Sequence, residues 1–224
     1  MTAVSSRQPT IVLAISRQLG SGGSYIGKAV ARRLGLKYAD REILEQAARV
    51  LGVEDRDLAG FEERVSSLWM QAARVLFMGP PESPYTPPGP PGVDESEVFE
   101  VESRIVREIA EREDAVIVGR GAFFVLRHHQ GAIRIFVHAP ETWRVRRVMQ
   151  IYGIHDEAAA RALVERSDAQ RKKFAERITG GQFPDPTGFD LCLNTATVGL
   201  DDAINLVAGI VSRRLEARGA KPSQ

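Results

Sequence analysis

Apolar positions recur with two alternating periods along the chain. Ile11 to Ile15 is a short, continuously apolar run rich in β-branched residues, the pattern of a strand covered on both faces in a parallel sheet. Glycines 20, 22, 23 and 27 follow at once. From Ser24 the positions Ile26, Val30 and Leu34 recur at helical spacing until Gly35 ends them. Leu36 to Ala39 predicts a second short strand ending at Asp40 and Arg41, and helical periodicity returns over Glu42 to Leu51 and Glu62 to Met78. Downstream, Glu95 to Arg112 reads as a helix, Ala115 to Val118 as a strand closed by Gly119, Arg120 and Gly121, and Phe123 to Leu126 and beyond as a helix. A strand at Ile133 to His138 precedes a helical stretch from Glu141 to about Ile178, broken near Gly153. Leu191 to Asn194 is the last strand and Asp201 to Ala217 the last helix. Alternating strands and helices predict a parallel sheet with helices on both faces.

Seven of the 12 prolines lie between Pro80 and Pro91. No helix or central strand survives such a density, so Gly79 to Val93 reads as a surface loop of polyproline character rather than as a ligand for a proline-recognising partner. At 224 residues, 43% hydrophobic and 26% charged, the chain is expected to form one domain over residues 10–217, with flexible termini at 1–9 and 218–224. A net charge of +1 argues against the basic excess that non-specific nucleic-acid binding requires. The longest apolar runs fall far short of the roughly 20 residues that span a bilayer, so no membrane partner is expected. The lone Cys192 permits no internal disulfide and is expected in the core, and with no secretory pattern at the N-terminus a cytoplasmic setting is expected. His128 and His129 are adjacent and lack zinc-ligand spacing, and Trp69 and Met70 sit in a helical pattern that predicts packing.

A strand, glycine loop and helix in succession can cradle a phosphate, because backbone N–H groups converge at the turn and the helix N-terminus adds partial positive charge. Two registers approach the phosphate-loop pattern G-x-x-x-x-G-K-[ST]. The first takes Gly22 to Gly27 with Lys28, but Ala29 replaces the hydroxyl and five residues separate it from the strand. The second takes Arg17 to Gly22, with Gly23 in the lysine position and Ser24 as the hydroxyl; it starts where the strand ends and is preferred on geometry. The dinucleotide pattern G-x-G-x-x-G fails at Tyr25.

The run Ile15-Ser16-Arg17-Gln18-Leu19-Gly20-Ser21-Gly22-Gly23-Ser24, then Tyr38-Ala39-Asp40-Arg41, then Val116-Ile117-Val118-Gly119-Arg120-Gly121, resembles the cytidylate kinase-like family of nucleoside monophosphate kinases. Ile135-Phe136-Val137 with Arg144 and Arg147, Asp168 with Arg171, and Asp190 to Asn194 extend the resemblance over roughly Ile11 to Val211. It implies an α/β, P-loop NTPase-type parallel sheet flanked by helices, with a helical acceptor-binding insertion at 42–112 and a helical lid at 153–187. It also implies ATP and Mg2+ as cofactors, nucleotides as small-molecule partners, CMP or dCMP as acceptor, and a monomer or homodimer.

Residue by residue, the resemblance puts ATP phosphates at Gly20, Ser21, Gly22, Gly23 and Ser24, with magnesium near Ser24. Asp40 and Arg41 match the acceptor-side pair after the second strand. Arg120 matches the arginine of a G-R-D motif whose aspartate is here Gly121. Asp168, Arg171 and Arg177 match lid residues that hold substrate. Phosphoryl transfer asks mainly for alignment and charge neutralisation, which planar guanidinium groups supply. Arg17, Asp40, Arg120 and Arg171 are therefore the candidate catalytic set, with either Arg17 or Lys28 standing in for the absent lysine. Competing structural readings are a helix cap at Asp40 and a solvated charged face for most arginines between Arg144 and Arg177. A further alternative is a nucleotide- or phosphate-binding regulatory protein with little transfer activity, or a kinase for another small acceptor.

Overall fold

The computed structural model describes residues 8–40 and 95–219. Arg41, the helices expected over Glu42 to Leu51 and Glu62 to Met78, and the proline-rich loop lie outside them. The described chain runs β1 (Val12–Arg17), α1 (Gly23–Leu34), β2 (Lys37–Ala39), α2 (Glu95–Arg112), β3 (Ala115–Val118), α3 (Ala122–Val125), β4 (Ala132–His138), α4 (Glu141–Tyr152), α5 (Glu157–Thr179), β5 (Leu191–Asn194), α6 (Thr195–Val198) and α7 (Leu200–Gly219). All four strand pairings are parallel and the order is β2-β3-β1-β4-β5.

Side-chain alternation along the strands separates two apolar layers. On one face Leu13, Ile15, Val116, Val118, Ile133 and Ile135 pack against Ile26 and Val30 of α1 and Val207 and Val211 of α7. On the other, Val12, Ala14, Ala115 and Ile117 meet Val101, Ile105, Val106 and Ile109 of α2. Coverage on both faces is what the continuous apolar runs require. Central strand β1 pairs with β3 through Ile15 and Val118 and with β4 through Arg17 and Val137. The chain leaves β1 towards β2 on one side and leaves β3 towards β4 on the other. The crevice beyond the carboxyl ends of β1 and β3 is therefore where an open α/β sheet offers a ligand site.

Three expectations differ from the structure. The helix begun at Phe123 is a single turn, α3, which Leu126 closes by bonding back to Ala122 and Phe124. Cys192 is exposed, because β5 is an edge strand whose alternation sends Leu193 into the core and Cys192 to the other side. Arg218 and Gly219, assigned to a free terminus, complete α7. There Arg218 Nη2 lies 2.6 Å from Asp114 Oδ2, while Asp114 Oδ1 accepts the Ile11 N–H at 2.8 Å. The last helical turn is thus tied to the start of the sheet.

The Arg218 guanidinium, with the Ile11 amide, holds the Asp114 carboxyl below the usual carboxylate range despite partial burial. A carboxylate with a lowered folded-state pKa contributes stability above its unfolded value, near 3.9, and loses it as pH falls through the folded one. Asp114→Asn is expected to cost about 1–2 kcal/mol at neutral pH. In urea unfolding followed over pH, the gap to wild type should close as the pH drops below about 4.

Candidate active site at the carboxyl ends of β1 and β3

The glycine loop leaves β1 at Arg17 and enters α1 at Gly23. Gln18 N–H bonds to Val137 O at 3.0 Å, Ser21 Oγ lies 2.9 Å from Gln18 O and 3.0 Å from Val137 O, and Thr195 Oγ1 donates to Ser21 O at 2.7 Å. Polar groups that face inward are thus used to hold the loop, and the N–H groups of the first turn of α1 form its open end. No acidic residue occupies that turn. Gly27 lies within α1 against the sheet, where an added Cβ would come within 2.9 Å of Ile15 Cδ1, and Lys28 is exposed on the helix. The loop geometry is therefore that of the Arg17 to Ser24 register. The Ser24 hydroxyl is buried and has no hydrogen-bond partner among the described residues.

Arg17 follows an unusual course. A Cβ at Gly23 would stand 2.6 Å from Arg17 Cβ and 3.1 Å from its Cγ, and one at Gly119 would fall on Arg17 Nη1. The arginine thus runs over the position of the missing lysine and ends between the tips of β1 and β3. There its Nη2 lies 3.5 Å from Asp40 Oδ1, with side chains only 16% and 11% exposed. Tyr38 backs this pair: its hydroxyl donates to Asp40 Oδ2 at 3.3 Å and lies 3.5 Å from Ser24 O. Burial first, and then the Asp40 charge, push the Tyr38 hydroxyl well above its ordinary pKa, so it stays a donor.

After β3 the backbone takes three successive left-handed conformations, with φ of 78° at Gly119, 56° at Arg120 and 63° at Gly121. Positive φ at a non-glycine residue is uncommon and needs support from its surroundings. Arg120 Nη1 lies 3.4 Å from Glu102 Oε1 of α2, and the two side chains are 13% and 4% exposed. Burial drives the Glu102 carboxyl above its ordinary pKa, opposed by the Arg120 charge. At Gly121 a Cβ would come within 2.6 Å of Ile178 Cδ1 and 3.0 Å of Phe99 Cε2. Those apolar side chains fill the space an aspartate would need there.

Helix α5 turns one stripe towards this crevice: Val164, Asp168, Arg171, Ala175 and Ile178, spaced four, three, four and three residues apart. Asp168 Oδ1 accepts the Leu19 N–H at 3.0 Å, and Asp168 Oδ2 lies 2.6 Å from Arg144 Nη1. The Arg171 head is buried within electrostatic reach of Arg17, Asp168 and Asp40. Burial first, and then the neighbouring Arg17, push it down to about 9, opposed by Asp168 and Asp40. Arg177 is exposed, with its guanidinium 5.7 Å from the Phe174 ring.

Of the residues singled out from sequence, the structure gathers Arg17, Asp40, Gly20 to Ser24, Asp168 and Arg171 about one end of the sheet. Arg120 sits on the turn beside Gly119, which Arg17 touches. Arg177 packs at the surface end of α5, and Arg41 lies outside the described residues. Glu102 escaped the sequence reading, and Arg144, which that reading placed in a run of arginines forming mostly a solvated charged face, is buried instead. Glu102 shares the inward stripe of α2 with Ile105 and Ile109, and Arg144 shares that of α4 with Val148; a charged residue at an apolar-period position was the signal.

Among the described residues no cluster of three or more His, Cys, Asp or Glu side chains is arranged to hold a metal, and no helix is long and apolar enough to cross a membrane. Comparison with known proteins places these features in context. A cytidylate kinase of Desulfurococcus amylolyticus is 26% identical over 92% of this chain and 95% of its own length. One from Methanopyrus kandleri is 32% identical over 49% of this chain and 61% of its own. Among solved structures, an uncharacterised protein from Eubacterium ventriosum superposes with a TM-score of 0.65 at 20% identity, covering 91% of this chain and 99% of that one. A Thermus thermophilus protein reaches 0.52 at 21% identity, covering 92% and 98%. The sequence pattern of the cytidylate kinase-like family matches residues 12–197, and this chain belongs to that family.

Proposed function

We propose that the protein is an ATP-dependent nucleoside monophosphate kinase that transfers the terminal phosphoryl group to CMP or dCMP. The observation that carries the reading is the course of Arg17, whose side chain lies across Gly23 where a phosphate-loop lysine would start. A cation is thereby returned to the loop from the end of β1 instead of from the helix. The N–H groups at the start of α1 bind the donor phosphates, and Arg17 and Arg171 neutralise the group in transfer. Arg120, oriented by Glu102, holds the acceptor phosphate, with Arg41 and Arg177 as further acceptor contacts. Asp40 keeps Arg17 in place and orients acceptor groups; a phosphate acceptor needs no strong base.

Magnesium fits the residues present. The buried Ser24 hydroxyl has no partner among the described residues, so it would serve as one ligand beside phosphate oxygens and water. Bound there, the ion would offset the charge of the donor phosphates. Support for CMP or dCMP comes from family membership and the cytidylate kinases among its relatives. Gly121, packed against Ile178 and Phe99, leaves base selection to other parts of the site.

The deciding measurement is ADP formation from MgATP with CMP, dCMP, UMP, AMP and GMP in turn. Turnover is expected with a cytidine nucleotide, lowered about a hundredfold or more by Arg17→Ala and by Arg120→Ala. Folded protein that binds ADP yet turns over no acceptor would overturn the kinase reading in favour of a regulatory nucleotide-binding protein, the alternative that Gly23 keeps open. The Arg17 and Gly23 positions should also prove interdependent. Gly23→Lys alone forces its Cβ onto Arg17 and is expected to cost about 1–3 kcal/mol in urea unfolding. Adding Arg17→Gly should recover most of that loss.

A further inference from the structure

Leu19, in the middle of the phosphate loop, is held at every group it has. Its side chain is 1% exposed and packs with Val145, Val148, Ala160 and Val164 of α4 and α5. Its N–H donates to Asp168 Oδ1 of α5 at 3.0 Å, and its carbonyl accepts from Arg144 Nη1 of α4 at 3.0 Å. The two side chains close on each other at 2.6 Å, and Arg144 Nε donates to Ala139 O at 2.9 Å. Arg144 is buried, with a side chain 6% exposed, against 23% for Asp168. The next residue, Gly20, backs so closely onto α4 that a Cβ would lie 2.8 Å from Arg144 O and 2.9 Å from Val148 Cγ2.

We propose that Asp168 and Arg144 form a positioning pair that fixes the backbone of the phosphate loop at Leu19 and takes no part in binding nucleotide directly. This rests on the reading of the loop as a nucleotide site. The inherited assignment of Asp168 to substrate is hard to reconcile with its contacts, since both carboxylate oxygens are engaged inside the protein. Within the loop, the N–H and hydroxyl of Ser21 bond to Gln18 O, but the peptide groups of Leu19 have no partner in the loop and are held from outside by Asp168 and Arg144. The stripe on α5 does this from one side. Ten residues beyond Asp168, Ile178 of the same helix closes on Gly121 beside Arg120. At 1.5 Å per residue, α5 is thus a strut of about 15 Å between the donor loop and the acceptor-side turn.

The test compares Asp168→Asn, Arg144→Lys and the double variant in the full chain. Two readouts are used: amide hydrogen exchange at Leu19 against Leu13 in the sheet core, and calorimetric binding of MgADP without acceptor. The expected result is that each single variant speeds exchange at Leu19 by about tenfold or more relative to Leu13. ADP affinity should fall by between about ten- and a hundredfold. The double variant should be no worse than the poorer single, and the KM for the acceptor should hold steady. Equal acceleration at Leu19 and Leu13 would reduce the pair to general stability and overturn the proposal. So would an Asp168→Asn protein with unchanged Leu19 exchange and ADP affinity but a raised acceptor KM, which would make Asp168 a substrate contact. If Asp168→Asn does not fold, Arg144→Lys, which keeps the cation but loses the fork, decides the same question. Should wild type bind no ADP, the nucleotide reading falls, while the exchange comparison still decides the clamp.

Discussion

The site depends on how closely Arg17 passes Gly23. Position 23 begins α1 directly beside the end of the central strand, and the two backbones approach so nearly that only one of the two residues can carry a side chain there. With arginine on the strand, the helix position has to be glycine, while Gly119 on the neighbouring strand end is required by its own φ of 78° and leaves room for the guanidinium. One choice of residue at the end of β1 thus accounts for the glycine that begins α1. It also changes the chemistry, since a planar fork with a permanent charge replaces a flexible ammonium. Asp40 and Tyr38 then hold that fork at the end of the sheet.

A second theme is that charge is buried in pairs drawn from different elements. Glu102 of α2 meets Arg120 after β3, and Asp168 of α5 meets Arg144 of α4. Such pairs are poor sources of net stability, because desolvation offsets most of their attraction. They are good at fixing geometry, because either partner alone would leave an uncompensated buried charge. Both pairs stand next to a backbone segment that must hold an uncommon shape: the left-handed turn around Arg120 and the loop around Leu19. Arg171, by contrast, is buried between one cation, Arg17, and the carboxylates of Asp168 and Asp40, and burial together with Arg17 outweighs the two acids in lowering its pKa.

The elements were legible from the sequence because each is decided within a few residues. The apolar run at Ile11 to Ile15, the stop at Gly35 and the break near Gly153 are all found where the pattern puts them. The glycine loop was legible for the same reason, since strand, turn and helix follow one another directly. Sequence reading failed at β5 and α3. Cys192 sits in an apolar run and its exposure depends on β5 being an edge, while α3 stops after one turn that periodicity alone would have continued.

By itself, the sequence determined the order of strands and helices, the glycine turn after the first strand and the family to which the chain belongs. Those are properties of local spacing and of motifs read in order. Only the tertiary structure decided which charges meet. Leu19 and Asp168 are 149 residues apart and Leu19 and Arg144 are 125 apart, so nothing in their surroundings along the chain predicts the contact. The same holds for the choice between Arg17 and Lys28 as neighbour of Gly23, since both are cations close to the loop in sequence. One points along the crevice and the other into solvent because β1 ends beneath the helix start, while position 28 lies a turn further on, on the outward face of α1.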